Sequence, residues 1–189
     1  MVASGKAGLG AQAHVVLLRG VNVGGNNRVP MADFKALLEG LGGQDVRTYI
    51  QSGNAVLRCN ASAATGLAAS VQAALLKRLG LAVPVVVRSA PALAAALAAH
   101  PYIKAGDDPK LLHVGFLRDA PSPALLKALD PPCGPGEAVQ VVGSHAYLRY
   151  GSGVAKSKLT NAFFDRRLGT VMTVRNWASC QALLALAQA

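Results

Sequence analysis

Residues 46–58, Val-Arg-Thr-Tyr-Ile-Gln-Ser-Gly-Asn-Ala-Val-Leu-Arg, decide the fold. Val46 to Ile50 and Ala55 to Arg58 read as strands, and Gln51-Ser52-Gly53-Asn54 between them reads as a tight hairpin. Upstream, His14 to Arg19 (HVVLLR) is a short apolar run of the kind that forms a buried strand. It opens into the Gly- and Asn-rich loop Gly20 to Val29. Pro30 suits the first turn of a helix, and Phe34, Leu37, Leu38 and Leu41 fall on one 3.6-period face before Gly42-Gly43 stops it. Downstream, Leu67, Val71, Leu75 and Leu79 stack along a helix from Leu67 to Leu79, and Val83 to Arg88 is a strand.

The resulting order, βαββαβ, is the split βαβ or ferredoxin-like arrangement. The second half repeats much of this grammar. A helix over Pro91 to Ala99 and a strand over Leu111 to Leu117 precede a short helix from Ser122 to Leu129. Strands Ala138 to Val142 and Ala146 to Tyr150 pair across Gly143-Ser144-His145, and helices follow over Ser157 to Leu168 and Val174 to Ala187. The expected class is α+β with two subdomains: an N-terminal ferredoxin-like unit and a second, related α+β unit with an extra C-terminal helix. The division reads as a flexible leader over 1–13, a first subdomain over 14–89 and a second over 90–189. No repeat joins the halves at this level, so duplication is an expectation from topology alone.

The chain has 189 residues, 52% hydrophobic and 15% charged, which is enough to build a core and excludes whole-chain disorder. Apolar runs such as Ala90 to Ala99 are too short to cross a bilayer, so no membrane partner is expected. Cys59, Cys133 and Cys180 are odd in number and far apart, which fits a reducing cytoplasm. The net charge of +10 invites a polyanionic partner, although charge speaks to association and not to fold. Residues 141–189 carry +5 of it.

Four polar segments stand out. In Arg19 to Arg28, glycines permit close backbone approach and the amides of Asn22 and Asn26 offer uncharged donors beside Arg19 and Arg28; an ordinary glycine-rich turn is the alternative. In the hairpin, Gln51, Ser52 and Asn54 either face a ligand or simply form the turn. In Gly151 to Asn161, a strand leads into a helix with Ser157 as its N-cap. Lys156 and Lys158 flank that end and Asn161 lies in its first turn, the setting in which a helix attracts an anion. The spacing is not that of a Walker loop, and solvated lysines on a capped helix are the alternative. In Thr173 to Trp177, Thr173 is expected to cap the final helix, placing Arg175 and Asn176 in its first turn. A cation there opposes the helix dipole and therefore asks for an anion or an internal carboxylate.

The four histidines are scattered and no carboxylates are paired, so no metal and no cofactor is expected, and no catalytic residue can be assigned.

At these same segments the chain resembles the bacterial family catalogued as domain of unknown function 1697. The likeness rests on Leu17 to Gly25, Arg47 to Asn54, Ser157 to Asn161, Leu168-Gly169 and Thr173 to Trp177. The resemblance implies an α+β protein of two subdomains, at least one of them ferredoxin-like, in the bacterial cytoplasm, and it implies no activity. The leader is longer than usual, and Asn27 stands where a basic residue is common. The leading functional expectation is a phosphate-bearing ligand, nucleic acid or nucleotide, held in a basic, Asn-rich cleft between the subdomains. An enzyme acting on a small anion and an interaction module without a ligand are the alternatives.

Overall fold

The structure is a computed structural model and describes residues 10–25 and 27–189. Two four-stranded antiparallel sheets carry the fold. In the first, β1 (Gln12–Leu18), β2 (Gln44–Tyr49), β3 (Asn54–Cys59) and β4 (Val85–Ser89) lie in the order β2-β3-β1-β4. Helix α1 (Met31–Gly40) joins β1 to β2. Helices α2 (Ala61–Ala64) and α3 (Leu67–Leu79) join β3 to β4, and α4 (Ala90–Ala98) follows β4 directly. In the second sheet β5 (Leu112–Leu117), β6 (Ala138–Val142), β7 (His145–Arg149) and β8 (Met172–Asn176) lie in the order β6-β7-β5-β8. Helix α6 (Pro123–Lys127) joins β5 to β6, α7 (Asn161–Leu168) joins β7 to β8, and α8 (Trp177–Gln188) follows β8. Between α4 and β5 lie a turn of helix, α5 (Pro101–Lys104), and a 3-10 turn at Pro109–Leu111.

Alternation along β1 sends Val16 and Leu18 to one face and Val15 and Leu17 to the other. The first face packs on α1 and α3 through Phe34, Leu38, Val71 and Leu75. The second face belongs to a core shared by both halves. There Val15, Leu17 and Val56 meet Val114, Phe116 and Tyr147 of the second sheet, together with Leu93 of α4 and Trp177 and Leu183 of α8. The far face of the second sheet packs Leu117, Leu148 and Met172 on Phe164 and Leu168 of α7.

The two halves correspond position by position. Leu17 pairs with Asn54 as Phe116 pairs with His145, and Val15 pairs with Arg88 as Val114 pairs with Arg175. Each fourth strand runs into a helix whose N-cap is the strand's own last residue, Ser89 for α4 and Asn176 for α8. Helix α8 follows the second βαββαβ succession as the expected C-terminal addition, and α4 stands in the corresponding place after the first. A few residues coincide at corresponding positions: His14-Val15 and Leu18-Arg19 with His113-Val114 and Leu117-Arg118, and Val87-Arg88 with Val174-Arg175.

Several sequence expectations are corrected. The span from Val174 to Ala187 is not one helix. Residues 172–176 form β8, because Thr173 and Val174 are β-branched and the strand completes the second sheet. Thr173 and Arg175 are thus strand residues, and Asn176 caps α8 by accepting from Ser179 N at 2.8 Å. Helix α7 starts at Asn161 and not at Ser157. Its N-cap is Thr160, and the preceding residues form a 3-10 turn, Val154–Lys156. Of the expected leader, residues 1–9 lie outside the described ones, and Gln12 and Ala13 already pair with Cys59 and Arg58 in β1. No helix among the described residues is long and apolar enough to cross a membrane.

Candidate functional site

The hairpin between β2 and β3 is the first wall of the site. Gly53 sits there at φ 72°, and a Cβ on it would lie 2.6 Å from Leu18 and from Val21, so only glycine lets the hairpin close against the end of β1. Leu18 N donates to Gly53 O at 2.8 Å. Asn22, at φ 55°, fastens the glycine-rich loop to the same hairpin. Its amide donates to Val29 O at 2.9 Å and Gln51 O at 2.7 Å, and its oxygen accepts from Val29 N at 2.9 Å.

The second half contributes Arg175, which reaches across from β8. Its Nε donates to Asn54 Oδ1 at 2.5 Å, Nη1 to Thr173 Oγ1 at 2.8 Å and Val174 O at 2.9 Å, and Nη2 to Leu18 O at 2.6 Å and Ser52 O at 3.1 Å. All five guanidinium donors are used, and every acceptor is neutral. Arg175 is 9% exposed, and burial pulls its pKa down to about 10. None of the ion pairs among the described residues includes it. A buried ion costs several kcal/mol of solvation; here carbonyl, amide and hydroxyl dipoles offset that cost, and no carboxylate cancels the net charge.

Beside it lies a cleft of about 450 Å³ between the halves. Leu18, Thr173, Arg175 and Ser179 form its buried floor, and Ser52, His113, Asn161 and Asn176 form its walls. The Asn161 amide oxygen is out of reach of solvent and accepts no hydrogen bond. The His113 ring, whose proton affinity burial lowers, borders the cleft.

Of the residues expected at a site, Ser52, Asn161, Arg175 and Asn176 line this cleft, while Asn54 stands behind Arg175 as its acceptor. The others are elsewhere. Arg19 is ion-paired to Asp165, whose other oxygen accepts from Met172 N at 2.9 Å, so its charge is neutralised where the loop meets α7. Asn22 serves the loop, and Gln51 and Arg28 are exposed. Ser157 accepts from Leu159 N at 3.0 Å. Lys156 and Lys158 border a separate pocket of about 350 Å³ with Pro132, Cys133 and Glu137. Asn26 lies outside the described residues.

Sequence reasoning missed Arg88. It mirrors Arg175, donating from Nε to His145 Nε2 at 3.3 Å, from Nη1 to Val87 O at 2.8 Å, and from Nη2 to Leu117 O and to Ser144 O at 3.2 Å. The signal was present in the sequence as an arginine inside an apolar strand, followed at once by a helix cap. No group of three or more His, Cys, Asp or Glu that could hold a metal ion occurs among the described residues.

Comparison with the curated proteins gave no match. Among solved structures, a conserved bacterial protein from Streptococcus pneumoniae is similar over 94% of this chain and 99% of its own, with a TM-score of 0.69 and 22% identity, which is a likeness of fold. The family model described as "Protein of unknown function (DUF1697)" matches residues 11–147, ending before Ser157 to Asn161 and Thr173 to Trp177. This match covers most of the chain, which therefore belongs to the DUF1697 family of proteins of unknown function.

Proposed function

We propose that the chain binds a small phosphate-bearing ligand, a free nucleotide and not a polynucleotide, in the cleft between its halves. One observation carries the reading: Arg175 is buried at the cleft floor as a cation with no carboxylate partner. Its donors are spent on the protein, so it acts on a ligand through its field. Ser52, Asn161, Asn176 and Ser179 supply the polar groups that orient the ligand. The volume of about 450 Å³ suits a single small molecule. Lys156 and Lys158, the residues best suited to a nucleic-acid backbone, face another pocket.

The two units are each read as ferredoxin-like. Support comes from the matching strand orders, the antiparallel pairings and the βαββαβ succession in each half. The correspondence of α4 with α8 supports a division after Ala98 in place of one at Ser89. Three free cysteines, two of them buried, suit a cytoplasmic setting.

Thermal denaturation of the full chain with inorganic phosphate, nucleoside mono- and diphosphates and a single-stranded oligonucleotide tests the reading. A ligand present at 100 times its Kd adds about 2.7 kcal/mol of stability. A rise in Tm with a mononucleotide, abolished in Asn161→Trp, is expected. No rise with any phosphate compound overturns the reading.

A further inference from the structure

We infer, resting on the anion-binding reading of this cleft, that the ligand is a nucleoside phosphate whose base is held at the cleft mouth by Val23, Ile50 and Val154. These are three of the six exposed large hydrophobic side chains among the described residues, at 66%, 51% and 50% exposure, and all three border the one cleft. Each comes from a different segment: the glycine-rich loop, the β2–β3 hairpin and the 3-10 turn before α7. Scattered surface apolar residues need no explanation, but a set converging on a cleft marks a binding surface.

Ile50 adds weight because it stands at φ 47°, a left-handed conformation that β-branched residues avoid. Asparagine or glycine would form this turn with less strain, so the strain is borne for the side chain.

Polarity runs in one direction through the cleft, from the cation on the floor to the apolar rim. Between them stand the polar side chains of Ser52 and Asn161. An aliphatic tail would satisfy the rim and leave those polar groups without partners. A sugar phosphate would supply a hydroxyl and leave the rim wet. A heterocyclic base offers flat apolar faces and N–H donors at its edge, and so answers both.

Calorimetric titration of the full chain with a nucleoside 5′-monophosphate, ribose 5-phosphate, the unphosphorylated nucleoside and inorganic phosphate separates the alternatives. The wild type is expected to bind the nucleoside monophosphate at least tenfold more tightly than ribose 5-phosphate. Ile50→Gly places glycine where its conformational freedom relieves strain, so the fold is kept. It is expected to weaken nucleoside monophosphate binding by about fivefold and leave ribose 5-phosphate binding unchanged. Equal affinity for the two phosphates, or an unaffected Ile50→Gly variant, overturns the base site while leaving the anion site standing. Nucleoside binding that is indifferent to the phosphate overturns the anion site and keeps the apolar mouth. Binding of none of the four overturns both.

Discussion

Arg88 and Arg175 join the halves as a reciprocal pair, each leaving a fourth strand to satisfy carbonyls at the end of the other half's first strand and hairpin. Truncating either one would leave several buried acceptors without donors, at roughly 1–3 kcal/mol each. Arg88→Met and Arg175→Met are each expected to lose about 3 kcal/mol in urea denaturation, and Arg175→Lys to recover little because lysine lacks the planar fork. The Arg88 end also sets a pH dependence. His145 accepts from Arg88, and burial together with that cation lowers its pKa to about 4. His100 and His113 are lowered too, by burial. A histidine depressed in the folded state takes up its proton first in the unfolded chain, so stability is complete above about pH 7 and falls as the pH drops below 6.5. Between pH 7.5 and 5, His145 alone should cost on the order of 1 kcal/mol once solvent screening is allowed for. Urea midpoints at the two values check this, and a midpoint that rises on acidification would contradict it.

At the scale of elements, the first half was largely legible in the sequence because its signals are long and periodic. Leu67, Val71 and Leu75 line the buried face of α3, and the glycine of the hairpin stands where the turn needs it. The second half misled at Thr173, whose preference for helix caps competes with its preference for strands. Only pairing with β5, a contact remote in sequence, decides that competition. The same error hid Arg175's role, since an arginine in a helix's first turn and an arginine on a strand point to different places. The side chains of Asn22 and Arg19 were unreadable for a related reason: their partners, Gln51 and Asp165, are far along the chain. Two substitutions test the local assignments. Gly53→Ala should destabilise by about 2 kcal/mol or more, since the methyl meets Leu18 and Val21 and φ is positive. Asn176→Ala should cost about 1 kcal/mol by uncapping α8, while Thr173→Ala should leave helix content unchanged by circular dichroism.

For the whole molecule, the central core is common property. Val15 and Leu17 from the first sheet, Val114 and Phe116 from the second, and α4 and α8 together bury one another, so neither half keeps its inner face covered alone. Unfolding is therefore expected to be one transition, with far-ultraviolet dichroism and the fluorescence of Trp177, the sole tryptophan and a core residue, changing together. The same interlock gives the cleft rigid walls from both halves, with a charge fixed beneath it. On the proposed reading, the polyanionic partner that the +10 net charge invites narrows to a small anion beside a buried cation. Amide chemical-shift mapping by NMR with a nucleoside 5′-monophosphate tests this most directly. The account predicts shifts concentrated at Gly20, Val21, Ser52, Asn161, Asn176 and Ser179 around the Arg175 cleft. Shifts confined to the pocket of Cys133, Lys156 and Lys158, or none at saturating ligand, would contradict it.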